Sequence, residues 1–151
     1  MADAYYPPVG FHFKVSVNLD GVAQNTQEAA FQEVSGLSKG IEVEEVREGG
    51  ENRFLHRLPN PAKYGNLVLK RGMLVNSKLI DWCFDAIDNF IFSPADIIVT
   101  LLNEQHQPLS TWNIKNAYPV KWSITDFKAQ ENSVAIETLE FAFDYLTKSD
   151  N

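Results

Sequence analysis

Few residues in this chain have the types that do chemistry. His12, His56 and His106, the lone Cys83, and the neighbouring carboxylates Glu44 and Glu45 are the ones that could ligate a metal, attack a carbonyl or move a proton. Such roles need set spacings, such as two ligands one helical turn apart or a thiol beside a base. No histidine has another His, a Cys or a carboxylate at ligand spacing on one helix face. His12 falls on the polar face of an alternating segment, and His106 in a turn. Cys83 falls on an apolar helical stripe, the place of a small buried thiol and not of a nucleophile. Glu44 and Glu45 point to opposite faces of a strand, which makes them a poor acid–base couple. There is no G-x-S-x-G elbow and no G-x-G-x-x-G. "GGENR" is followed neither by Lys-Ser/Thr nor by a helix whose N-terminus could hold a phosphate. The expectation is a protein with no catalytic site, no metal and no cofactor.

The elements that would position these groups are those of one domain, 1–151, long enough to bury a core without staples. The formal net charge of −7, from 13 Lys and Arg against 20 Asp and Glu, argues against a surface that displaces counterions from nucleic acid. One cysteine excludes a disulfide within the chain. "MADAYYPPVGF" lacks a basic region and an apolar run, so no secretion signal is expected. No apolar run reaches the length of a membrane-spanning helix, and no membrane insertion is expected.

Period-two alternation dominates. "GFHFKVSVNLD" places Phe11, Phe13, Val15, Val17 and Leu19 on one face and His12, Lys14, Ser16 and Asn18 on the other. "AFQEVSGLS", "GIEVEEVREGG" and "NLVLKRGM" read as further strands, with a bulge near Glu44–Glu45 where Val46 breaks phase. "NPAKYG" reads as a turn or an irregular segment. "NSKLIDWCFDAIDNFIF" changes period: Ile80, Cys83, Phe84, Ile87 and Ile91 recur at helical spacing. A helix over about 77–91 follows, capped by Asn76 or Ser77 and stopped by Ser93-Pro94. Trp82 falls off that stripe, as a surface contact or packed over a strand. "ADIIVTLLNE" reads as a strand covered on both sides. Tyr118-Pro119 divides the next strand from its successor. Residues 134–146 read as one strand, with Leu139, Phe141, Phe143 and Tyr145 inward and Thr138, Glu140, Ala142 and Asp144 outward. Seven to nine strands with one helix predict a mainly β, α+β fold: an antiparallel barrel or sandwich with a flanking helix.

One segment fits no core. "VEEVREGGENRFLHRLP", 43–59, carries Glu42, Glu44, Glu45, Glu48 and Glu51 on its flanks against Arg47, Arg53 and Arg57. Gly49 and Gly50 supply a bend, Phe54, Leu55 and Leu58 are apolar anchors, and Pro59 ends the pairing. Two strands without a covering layer are marginal in water. On physical grounds the segment reads equally as an exposed hairpin loop or as an arm of about 43–60 completed by another subunit.

"YPPVGFHFKV", "FQEVSGLS", "EVREGGENRFLHRLP" and "YGNLVLKRGM" follow one another in an order that resembles the tail tube family of contractile phages and of extracellular contractile injection systems. The similarity covers nearly the whole chain. The secretion tube protein of type VI systems is similar in fold with a weaker motif match. The resemblance implies a structural subunit whose hexameric rings stack into an inner tube around a lumen, formed in the bacterial cytoplasm and carried in a tail or an extracellular particle. It implies as partners further copies of the chain, a sheath protein, baseplate, spike and tube-terminator proteins, and a translocated cargo or DNA held without sequence recognition. It carries Glu48, Gly49, Gly50, Glu51, Asn52 and Arg53 over to the subunit interface, and the charge and apolar pattern of the arm adds Glu45, Arg47, Phe54, Arg57 and Pro59. Thr138, Glu140 and Asp144 are expected to face the lumen. A tube-initiating paralogue at the baseplate shares these motifs. A small barrel holding an apolar ligand among Phe11, Phe13, Phe141 and Phe143 is the alternative from another class.

Overall fold

A computed structural model describes residues 12–19, 31–47, 49–50, 53–73, 77–126 and 135–150. Phe11, Glu48, Glu51, Asn52 and Asn76, all singled out above, lie outside the described residues. The described residues form nine strands and one helix. In chain order these are β1 (His12–Asn18), β2 (Glu33–Ser35), β3 (Lys39–Val46), β4 (His56–Tyr64), β5 (Leu67–Gly72), α1 (Lys78–Asn89), β6 (Ala95–Leu102), β7 (Pro108–Ile124), β8 (Ile136–Ala142) and β9 (Tyr145–Asp150).

All pairings are antiparallel, and β7 is shared by two sheets. Its first part pairs with β6 and β9, and β6 pairs with β1. From Tyr118 onward it pairs with β8, which pairs with β5, which pairs with β2. The result is a sandwich whose path does not close. Tyr118-Pro119 therefore does not divide two strands: one strand of 17 residues runs through it and changes sheet. The segment read as one strand over 134–146 is two strands, because β8 belongs to the second sheet and β9 to the first. The alternation accordingly breaks at the crossing: Phe141 is buried, Tyr145 is exposed and Leu146 is buried.

The core is what the alternation demands. Val15, Ile97, Val99, Ile114 and Leu146 point inward from the first sheet, and Leu67, Leu69, Leu139 and Phe141 from the second. β6 is covered on one side only, with Ile97 and Val99 buried and Ile98 exposed. Full burial of each such side chain stabilises by about 1.5–3 kcal/mol.

Helix α1 starts where Ser77 Oγ accepts from the Ile80 amide at 3.4 Å. It ends at Asn89, short of Ser93-Pro94, because Phe90 takes a left-handed conformation (φ 54°) and the Ile91 amide donates to the Asp85 carbonyl at 3.0 Å. Its buried face is Leu79, Trp82, Cys83 and Ala86, rotated from the expected stripe. Trp82 is 8% exposed, its ring stacks on Phe141 with centroids 5.7 Å apart, and its Nε1 donates to the Ser93 carbonyl at 2.9 Å. The surface-contact reading of Trp82 is thus overturned. Ile87 and Ile91 are exposed instead.

A buried ion pair fastens α1 to the second sheet. Arg71 Nε lies 3.4 Å from Glu137 Oε2, and both side chains are at least 97% buried. Arg71 Nη2 donates to Ser77 Oγ at 2.9 Å, and Trp122 Nε1 donates to Glu137 Oε1 at 2.9 Å. The guanidinium also sits over the Phe31 ring at 5.3 Å. Burial pushes the Cys83 thiol up to about 12, with Arg71 opposing the rise.

Candidate subunit interface

The arm stands out from this body. β2 against β5 and β3 against β4 form one antiparallel ladder with an interruption at 36–38 and 65–66. The pairing Glu33↔Lys70 continues without a shift to Lys39↔Tyr64 and Ile41↔Ala62. At the interruption Gly36 has φ 84°, and a Cβ there would lie 1.9 Å from the Asn66 carbonyl oxygen. Only glycine allows that approach. At the root, Tyr64 packs on Phe143 with ring centroids 5.6 Å apart. The arm is therefore mounted on the core through β5, whose Leu67 and Leu69 are fully buried.

Beyond the root, β3 and β4 pack extensively, among the described elements, only on each other. Pairing does not stop at Pro59, which faces Val43, and the segment read as a turn is part of β4. The register irregularity expected near Glu44–Glu45 falls between Ile41 and Val43. Proline is tolerated because both strands are edges. Residues that face one another share a side of the ribbon, so Val43, Pro59, Glu45 and Arg57 lie on one side and Glu44, Leu58, Val46 and His56 on the other. Arg47, Gly49, Gly50, Arg53 and Phe54 lie toward the tip, where Gly50 takes φ 90°. Ile41 is 63% exposed, Phe54 54% and Leu58 50%. Lys63 Nζ pairs with Glu42 at 2.8 Å and holds that carboxyl below its ordinary range.

A second apolar surface lies at the end of α1. Phe90 is 82% exposed and meets Phe92 edge-on at 4.8 Å, which meets Tyr118 edge-on at 5.6 Å. Ile87, Ile91 and Val120 are exposed as well.

Thr138 and Glu140 lie on the open face of the second sheet. Thr138 faces Lys70 and Ser123, and Glu140 faces Val68 and Lys121. Glu140 Oε1 accepts from Asn66 Nδ2 at 2.9 Å. Acid and base alternate there, so the face is not uniformly acidic. Asp144 lies in the short link between β8 and β9 and accepts from Asn116 Nδ2 at 2.8 Å. The open face of the first sheet carries mostly short polar side chains, including Ser16, Thr100, Thr111, Asn113 and Thr147.

The structure stacks the rings of His12 and His106 with centroids 5.2 Å apart, a pairing that spacing along the chain did not indicate. Among the described residues no group of three or more His, Cys, Asp or Glu is gathered as for a metal. The phenylalanines offered as a ligand lining are core: Phe141 is fully buried, and Phe13 and Phe143 pack against the same cluster. Sequence reading missed Arg71 and Glu137. Their signal was parity, since Leu67, Leu69 and Arg71, like Glu137, Leu139 and Phe141, alternate onto one face.

The T4-like virus tail tube protein gp19 family matches residues 9–147. No curated protein sequence matches the chain. A chain of the anti-feeding prophage baseplate is 32% identical with a TM-score of 0.83, and the match covers 96% of this chain and 97% of that one. A chain of the sheath–tube complex of an extracellular contractile injection system is 26% identical with a TM-score of 0.79, covering 98% and 95%. A chain of the sheath/tube terminator of the same kind of system is 26% identical with a TM-score of 0.77, covering 97% and 99%. With its open β-sandwich, flanking helix α1 and exposed arm, the chain belongs to the T4-like virus tail tube protein family, a structural family and not a family of enzymes.

Proposed function

We propose that the chain is the repeating subunit of the inner tube of a contractile injection particle. Copies join into hexameric rings, rings stack through the arm, and the lumen passes cargo or DNA without sequence recognition. Sheath, baseplate and terminator proteins are its partners, since the similar chains belong to a baseplate, a sheath–tube complex and a sheath/tube terminator. The observation that carries the reading is the arm: a two-stranded ribbon exposed along β3 and rigidly rooted in the core. An isolated ribbon of this kind is marginal in water and gains its missing layer from a neighbour. Glu45, Arg47, Gly49, Gly50, Arg53, Phe54, Arg57 and Pro59, with Glu48, Glu51 and Asn52 between them, form this interface.

Deleting residues 48–53 tests it. The protomer should keep its circular dichroism spectrum and fail to sediment as tubes. Normal tubes from the deleted form would refute the role of the arm. Outright unfolding would make the arm part of the protomer's own fold.

Two faces compete for the lumen. Thr138, Glu140 and Asp144 on and beside β8 are the first assignment. The alternative is the open face of the first sheet, favoured because that sheet ends in two full-length strands, β1 and β9, each paired on one side among the described residues. Tubes built with Thr138→Cys or Thr111→Cys decide: the lumenal position resists a bulky external thiol reagent and the other is labelled. A tube-initiating position at the baseplate is a second reading, favoured by the 32% identity to a baseplate chain. Long tubes in electron micrographs of the purified protein indicate the repeating role, and isolated rings the initiating one.

A further inference from the structure

We propose that His12 and His106 together hold a divalent d-block cation of the zinc, nickel or copper kind. The site goes beyond the inner-tube reading and does not depend on it.

Spacing along one element gave no ligand pair, but this pair comes from two elements far apart in the chain. His12 opens β1 and faces Leu102, the last residue of β6. The chain then turns over 103–107 and brings His106 back beside that end. The two rings have centroids 5.2 Å apart and planes 25° apart, and both residues are exposed. Two imidazoles on one tetrahedral cation, with nitrogen–metal bonds of about 2.0–2.1 Å, have their centroids about 5 Å apart. The rings thus already stand at the separation of a chelate. Aiming one nitrogen of each at a common point needs only rotation about the outer side-chain torsion, which is soft for histidine. The backbone under both rings is fixed. His106 has φ 60° and its amide donates to the Asn103 carbonyl at 3.0 Å. Asn103 Oδ1 accepts from the amides of Gln105 and Gln107, both at 2.9 Å. His12 is placed by the ladder to β6 and by Phe13, which packs on the core. Ligands placed in advance lose less freedom when the cation arrives. The turn carries one charged side chain, the exposed Glu104, and its sign favours a cation. Neutral imidazole suits zinc, nickel and copper, whereas magnesium and calcium take oxygen ligands. Water completes the coordination. The bound cation clips the start of edge strand β1 to the turn that follows β6.

Calorimetric titration of the untagged full-length chain with Zn2+ alone, and with Cu2+ alone, tests this. One cation should bind per chain. His12→Gln and His106→Asn should each weaken binding about tenfold or more, since each removes a ligand outright. Asparagine is chosen at 106 because it tolerates the left-handed backbone. The chain has three histidines, so His56→Gln is the control and should bind as the parent does. Both substituted side chains are exposed, and circular dichroism checks that each variant folds. Zn2+ should also raise the melting temperature of the parent and of His56→Gln, and leave His12→Gln and His106→Asn unmoved. No saturable binding of either cation below about 1 mM overturns the proposal. So does parental affinity in either His12→Gln or His106→Asn, or a loss confined to His56→Gln. An equal response to Mg2+ would give the binding to surface carboxylates and likewise overturn it. None of these outcomes bears on whether the chain builds tubes, which the deletion of residues 48–53 tests separately.

Discussion

Asn116 Nδ2 lies 2.8 Å from Asp144 Oδ2, and the contact sits where the chain twice passes between sheets. Asn116 is in β7 just before it leaves the first sheet for the second, and Asp144 is in the link that carries β8 into β9. Asn116 has φ 54°, and its amide donates to Asp96 Oδ1 at 3.2 Å. One residue in the left-handed region, held between two carboxylates, builds the corner of the sandwich. Asn116→Val should lose about 2–3 kcal/mol, because a β-branched residue strains that backbone and the side-chain bond is gone. Asn116→Gly should lose less. Urea unfolding of the dilute protomer measures both.

Arg71→Met should cost about 3–5 kcal/mol, since it leaves Glu137 buried without its cation. Arg71→Met combined with Glu137→Leu should recover much of that loss. A double variant whose loss equals the sum of the Arg71→Met and Glu137→Leu losses would show that the pair is not coupled. The same unfolding assay gives the coupling.

Trp82→Ala should cost about 3–5 kcal/mol, and Ile87→Ser should stay within about 0.5 kcal/mol. Helical spacing alone orders these two the other way. Thermal melts of the two variants decide it.

Asp96 is held below its ordinary value of 3.8, first by the Asn116 amide and then by Lys115, against the cost of burial. The Ser110 hydroxyl and Lys148 lower Asp150 in the same direction. A lowered folded value means the stabilisation is complete above the ordinary carboxylate value and is lost as pH falls through the folded value. Melting temperature should therefore hold steady from neutral pH to about 4 and drop below it. Asp96→Asn should make that drop shallower.

Cys83 should resist alkylation at pH 8, because its thiol is buried and raised to about 12. Iodoacetamide labelling followed by mass spectrometry should report global unfolding and nothing faster.

Alternation and helical period made the fold class, most strands and the span of α1 legible, because side-chain periodicity directly reflects one-sided burial. The charged, glycine-bent run 43–59 was legible as a segment outside the core, since nothing in it could be core; the resemblance, not the alternation, favoured an arm over an exposed loop. The rotation of α1 was not legible, since Trp82 and Ile87 are both apolar and only Phe141 opposite decides which one is covered. Nor was the path of β7 through Tyr118-Pro119. A proline reads locally as an end, and only pairing with β8 beyond it makes it a crossing. The sequence by itself determined what each segment must hide. The tertiary structure alone decided which segments hide it together, because burial partners come from strands that lie far apart along the chain.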